Sequence, residues 1–130
     1  MDRHVGEIMT KALWTALEND PLEKVEELMS RHRLSSVPVV DPHGRIFGIL
    51  SSSDLLRFRE SRGNVKAAHA WELCTYRPIE VGSTMSVRDA AQLMVKHKIH
   101  HVVVTDGHEA VGFVSALDIV EQYLLQAKAS

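Results

Sequence analysis

The chain is poor in the features that announce most functions. It has one cysteine, Cys74, in 130 residues. An internal disulfide is therefore excluded, which fits a reducing compartment. With no partner base placed beside it, Cys74 reads as a buried, inert thiol. No apolar run approaches the ~18 residues that would span a bilayer. The polar start, Met1 to Glu7, lacks a signal-peptide core. The expected location is cytoplasmic, with no membrane partner. Fifteen Lys and Arg stand against 17 Asp and Glu, a net charge of −2 with His neutral. Such a balance provides no basic surface for nucleic acid. There is no P-loop and no nucleophile elbow.

Histidine is the one chemically active residue in good supply, with eight copies. His97 falls at a helix end, and His100 and His101 alternate across a strand. His108 lies in the following turn. No cysteine or second carboxylate completes a ligand set at metal-site spacing, so no metal is expected.

What the chain does have is a duplication. Ile8-Met9-Thr10 matches Leu73-Cys74-Thr75, and Leu28-Met29 matches Leu93-Met94, at an offset of 65. His32 matches His97, and Val37-Pro38-Val39-Val40-Asp41 matches Val102-Val103-Val104-Thr105-Asp106. The offset then falls to 64, pairing Gly48 with Gly112, Ser51 with Ser115 and Asp54 with Asp118. The lost residue falls in a turn, where deletions are tolerated. The repeats are taken as 1–62 and 63–130, with the boundary in the polar stretch 60–64.

Each repeat reads as β-α-β-β-α. A short extended segment, 14–16 or 78–81, leads to a helix. In the first copy Asp20-Pro21-Leu22-Glu23 predicts the start, with Asp20 as N-cap and Glu23 closing a capping box. Leu22, Val25, Leu28 and Met29 form an apolar stripe at helical spacing, as do Val87, Ala90, Ala91 and Met94. Nearly continuous β-branched runs, 36–40 and 101–105, predict strands buried on both faces. Short turns join them to second strands over 46–50 and 111–114. Closing helices run through Leu55, Leu56 and Phe58, and through Ile119, Val120, Tyr123 and Leu124. Residues 65–71 are expected as a helical lead-in to the second copy. Repeats of this size are marginal alone. The expected class is α+β, with two pseudo-twofold-related repeats packed through their sheets.

The stretches Gly48-Ile49-Leu50-Ser51-Ser52-Ser53-Asp54 and Gly112-Phe113-Val114-Ser115-Ala116-Leu117-Asp118 share one pattern. An apolar strand stops at a serine and becomes a helix, with an aspartate three residues on. Ser-x-x-Asp is most simply a helix cap. The same corner presents free N–H groups suited to phosphate, and a carboxylate suited to a ribose diol.

In order and in duplicate, these units resemble a tandem pair of CBS domains, a Bateman module. The resemblance covers essentially the whole chain. It implies a regulatory module that binds AMP, ADP, ATP or S-adenosylmethionine in clefts between the repeats, with no cofactor required. It makes Asp54 and Asp118 the ribose ligands and Ser51, Ser115 and Ser53 the phosphate neighbours. Thr10 and Thr75 would line the ligand. The pairs Ser35-Ser36 and His100-His101 hold the position that is often basic in nucleotide-binding relatives. Family geometry groups Asp54 and Ser51 with Thr75, His100 and His101, and Asp118 and Ser115 with Thr10, Ser35 and Ser36. The uncharged serine pair speaks for weaker phosphate binding in the Asp118 cleft. No enzyme activity is expected. The module would act on an unknown protein target in trans, as a homodimer covering Leu55, Phe58, Val120 and Leu124. The rival reading is a ligand-free interaction scaffold in which the boxes are only caps.

Overall fold

A computed structural model of the chain describes residues 3–12, 14–76 and 78–129. The fold is α+β. A short helix α1 (Val5–Ile8) and strand β1 (Thr10–Lys11) precede β2 (Ala16–Leu17), α2 (Leu22–Arg31), β3 (Ser36–Val40), β4 (Ile46–Ser51) and α3 (Ser52–Glu60). The series then repeats as α4 (Ala70–Leu73), β5 (Thr75–Tyr76), β6 (Glu80–Gly82), α5 (Val87–His97), β7 (His101–Asp106), β8 (Glu109–Ser115) and α6 (Ala116–Ala129). The two β-α-β-β-α repeats are therefore present as the sequence predicts.

The repeats are not the compact units, however. One unit comprises residues 14–78, and the other 1–13 together with 79–130. The sheets explain the difference from a simple cut at 62. In the first unit the strand order is β2-β3-β4-β5, and in the second β1-β8-β7-β6. Each two-residue strand, β1 or β5, pairs antiparallel with the hairpin of the unit that does not contain its own following helix.

The unit of residues 14–78 has a core of Ala16, Leu22, Val25, Met29, Val37, Val39, Leu50 and Leu55, closed by Ala68 and Ala70. The other has Val5, Val81, Val87, Ala90, Met94, Val102, Val104 and Val114. The apolar stripes of α2 and α5 face these cores, as their spacing dictates. All five residues of β3 are buried, and so are Val102, Val103 and Val104 of β7.

Both first helices stop in the same way. Arg33 and Lys98 adopt left-handed φ values of 54° and 53°. The next N–H groups, of Leu34 and Ile99, return to the carbonyls of Met29 and Met94 at 2.8 and 3.0 Å. This closure satisfies otherwise orphaned carbonyls and folds Leu34 and Ile99 onto their cores. The change of offset is visible in the hairpins. Three residues separate Asp41 from Arg45, and two separate Asp106 from Glu109, with Gly44 and Gly107 taking the positive φ that each turn needs.

Three local expectations are corrected. Asp20 does not cap α2: Pro21 is the N-cap and no side-chain cap bond forms. Asp20 instead accepts the Leu17 N–H at 2.9 Å and pairs with Lys24 at 3.4 Å, closing the turn ahead of the helix. In the lead-in, only Ala70–Leu73 is helical; residues 65–67 form a turn held by the Asn64 carbonyl and side chain. Leu55 is 6% exposed and belongs to the core, and half-buried Phe58 packs against it. Their periodic spacing is equally that of an inward face.

Candidate functional site: two serine–aspartate corners

Within each unit the central strand of the hairpin runs directly into a helix, and the turn is closed by its own side chains. Ser51 is the N-cap of α3. Its Oγ accepts the Asp54 N–H at 3.2 Å, and Asp54 Oδ2 accepts the Ser51 N–H at 2.9 Å. At the other corner Ser115 Oγ accepts the Asp118 N–H at 3.1 Å, and Asp118 Oδ2 accepts the Ser115 N–H at 2.8 Å. Each is a reciprocal capping box, satisfying two backbone donors at once. Each box uses one carboxylate oxygen, Oδ2.

The start of the neighbouring strand is tied to the same corner. Ser36 pairs with Ser51 across β3 and β4, and the Ser52 N–H donates to the Ser35 carbonyl at 2.8 Å. Equivalently, His101 pairs with Ser115, and the Ala116 N–H donates to the His100 carbonyl at 2.8 Å. Ser35 and Ser36 thus belong to the unit of Asp54, and His100 and His101 to the unit of Asp118. Ser36 is 3% exposed, whereas Ser35 and His100 are exposed.

The threonines lie at the opposite edge of each hairpin. Thr75 pairs with Ile49 beside Gly48, and Thr10 pairs with Phe113 beside Gly112. Both threonines are exposed. Within the unit of residues 14–78, the structure therefore gathers Ser35, Ser36, Ser51, Ser53, Asp54 and Thr75 on one hairpin and its flanks. Thr10, His100, His101, Ser115 and Asp118 are gathered likewise in the other.

Beyond the caps, the corners differ. Arg57, one turn along α3, forms an ion pair and hydrogen bond with Asp54 Oδ1. The Asp54 side chain is 14% accessible and that of Arg57 71%. Residue 121 stands where Arg57 does in the first copy, and it is Glu. Among the described residues no cation pairs with Asp118. Ser53 Oγ lies 2.9 Å from Ser51 Oγ, while its counterpart Leu117 is 73% exposed. Sequence reading had singled out the Ser and Asp of the motif and passed over Arg57. The signal was available: a cation three residues after a helical carboxylate lies within its reach.

Apolar grooves of about 410 and 380 Å³ lie between α2 and α3 and between α5 and α6. Neither aspartate lines them. No group of three or more His, Cys, Asp or Glu among the described residues is arranged to hold a metal ion. No helix among them is long and apolar enough to cross a membrane.

The CBS-domain family model matches residues 5–61 and 70–125. The chain belongs to the CBS-domain family. Among curated proteins it is similar to inosine-5′-monophosphate dehydrogenase of Halobacterium salinarum, with 35% identity over 109 residues. That match covers 83% of this chain and only 21% of the length of the dehydrogenase. Its fold is similar to the solved CBS domain pair of protein MJ0100 in complex with 5′-methylthioadenosine and S-adenosyl-L-methionine. There the TM-score is 0.84 at 25% identity, covering 97% of this chain and 99% of that one. It is also similar to the CBS domain of a bacterial CNNM/CorC family Mg2+ transporter in complex with ATP. That TM-score is 0.80 at 25% identity, covering 94% of this chain and 87% of that one. In this CBS pair a Ser-x-x-Asp corner closed by a reciprocal capping box recurs in each unit.

Proposed function

We propose that the chain is a regulatory module that binds an adenosine-containing ligand at its serine–aspartate corners and acts on a partner protein in trans. The observation that carries this reading is the use made of each aspartate. One carboxylate oxygen closes the cap, and the other is left to accept hydrogen bonds at a helix N-terminus, open among the described residues at Asp118 and behind an exchangeable arginine at Asp54. A ribose diol offers the matching donors. Serine hydroxyls and the positive end of the helix dipole suit phosphate. The relatives solved with S-adenosyl-L-methionine and with ATP support the same ligand class.

In this reading Asp54 and Asp118 hold ribose, Ser51, Ser53 and Ser115 neighbour phosphate, and Thr10, Thr75, Ser35, Ser36, His100 and His101 complete the surroundings. The chain performs no chemistry on the ligand. Binding shifts the population of conformations, and a partner reads the shift. A second copy of the chain is the natural cover for α6, where Val120, Tyr123 and Leu124 are 51%, 66% and 56% exposed.

Thermal denaturation with AMP, ADP, ATP and S-adenosylmethionine tests the reading. A ligand that binds only the folded state at a hundred times its Kd stabilises by about 2.7 kcal/mol. For a domain of this size that is a rise on the order of 10 °C. No rise with any of the four leaves the capping boxes as caps and the module as a scaffold.

A further inference from the structure

The two corners share a backbone and differ in charge, both within the helix that follows the serine and in the pair before the neighbouring strand, Ser35 and Ser36 at one and His100 and His101 at the other. The Asp54 corner carries three consecutive serines, with Ser51 and Ser53 hydroxyls 2.9 Å apart, and Arg57 paired to its carboxylate. The Asp118 corner replaces Ser52 and Ser53 with Ala116 and the exposed Leu117, and Arg57 with the exposed Glu121. We propose that Arg57 and Glu121 are specificity-determining residues that sort adenosine ligands by charge. The Asp54 corner takes a phosphorylated nucleotide, and the Asp118 corner takes an adenosyl compound without phosphate. This rests on the function proposed above.

At Asp54 the arginine occupies the oxygen that a ribose diol requires. An exposed arginine pair contributes little, so a ribose displaces it at small cost. The displaced guanidinium, still anchored one turn from the carboxylate, is then free to bind phosphate through charge-assisted hydrogen bonds. A ligand without phosphate displaces the same arginine and gains nothing in return. At Asp118 the oxygen is already open among the described residues, so no displacement is needed. Two carboxylates one turn apart repel phosphate, and Leu117 supplies apolar surface where the first corner has a hydroxyl. A neutral thioether or cationic sulfonium substituent suits this environment. His100 and His101 flank the Asp118 corner, so every comparison is made at one pH.

Isothermal titration of AMP and 5′-methylthioadenosine at pH 8 tests the proposal. Asp118→Asn leaves the Asp54 corner, and Asp54→Asn leaves the other. Asparagine retains an acceptor for the cap. The Asp54 corner should bind AMP at least tenfold more tightly than 5′-methylthioadenosine. The Asp118 corner should show no such preference for AMP. Arg57→Gln, at an exposed position in an otherwise unaltered chain, should lower the AMP preference about tenfold. Glu121→Gln should raise AMP affinity at the Asp118 corner. Equal AMP preference at the two corners, or a preference unchanged by Arg57→Gln, overturns the sorting while leaving ligand binding intact. Failure of both ligands to bind the unaltered chain overturns the function and the sorting together.

Discussion

Gly48 lies so close to Thr75 that a Cβ built on it would sit 2.4 Å from the Thr75 carbonyl oxygen and 2.6 Å from the Cys74 sulfur. The duplicate position repeats the relationship: a Cβ on Gly112 would meet Met9 Sδ at 2.5 Å and the Thr10 oxygen at 2.7 Å. The glycine that opens each motif is what lets the two-residue edge strand dock.

Gly48→Ala and Gly112→Ala should each destabilise the fold by about 1–3 kcal/mol, the usual cost of overpacking. Gly82→Ala is the control, because nothing lies within 4 Å of its Cβ position and its φ is not positive. Urea denaturation should show midpoints lowered for the first two and nearly unchanged for the third. A neutral Gly48→Ala would mean that β5 docks loosely.

The capping boxes have a structural value independent of any ligand. Ser51→Ala and Ser115→Ala each remove the acceptor of an Asp N–H and should cost about 1 kcal/mol. Ser52→Ala, at an exposed first helical position, should stay within about 0.5 kcal/mol. Ligand-free unfolding curves measure both.

Cys74 is held against the hairpin, and its environment raises the thiol pKa from 9.0 to about 11, mainly by burial. Only the thiolate reacts. A shift of that size lowers the thiolate fraction at pH 8 by roughly 100-fold. Iodoacetamide should therefore modify native Cys74 about two orders of magnitude more slowly than the urea-unfolded chain. Nearly equal rates would contradict the shielding of this half-buried thiol. A raised folded pKa leaves stability intact below 9.0 and erodes it as pH climbs toward 11.

Much of this was legible in the sequence. Duplication exposed the β-α-β-β-α unit, because the strands Val37 to Val40 and Val102 to Val104 repeat in register with their turns and helices. The Ser-x-x-Asp cap was legible because its partners are three residues apart. What lay beyond reading was whatever depends on distant pairing or on competition between neighbours. Strands of two residues carry no periodicity, and the partner of Thr10 is Phe113, far along the chain. That is why the compact units cut across the linear repeats. Asp20 looked like a cap, yet the Leu17 N–H claims its carboxylate. Leu55 and Phe58 share one helical spacing whichever way their face points, and only the packed core shows that it points inward. The Arg57–Asp54 pair was within reach of the helical i,i+3 rule, and its absence at Glu121 is what separates the corners.

The central claim is that the corner carboxylates hold an adenosine ligand. The most direct measurement is the melting temperature of the unaltered chain and of the double variant Asp54→Asn, Asp118→Asn, each with AMP, ADP, ATP and S-adenosylmethionine at saturating concentration. The account predicts a rise on the order of 10 °C with at least one ligand for the unaltered chain. It predicts no rise for the double variant, whose ligand-free melting temperature stays within a few degrees. A rise that survives in the double variant, or no rise in the unaltered chain with any ligand, contradicts it.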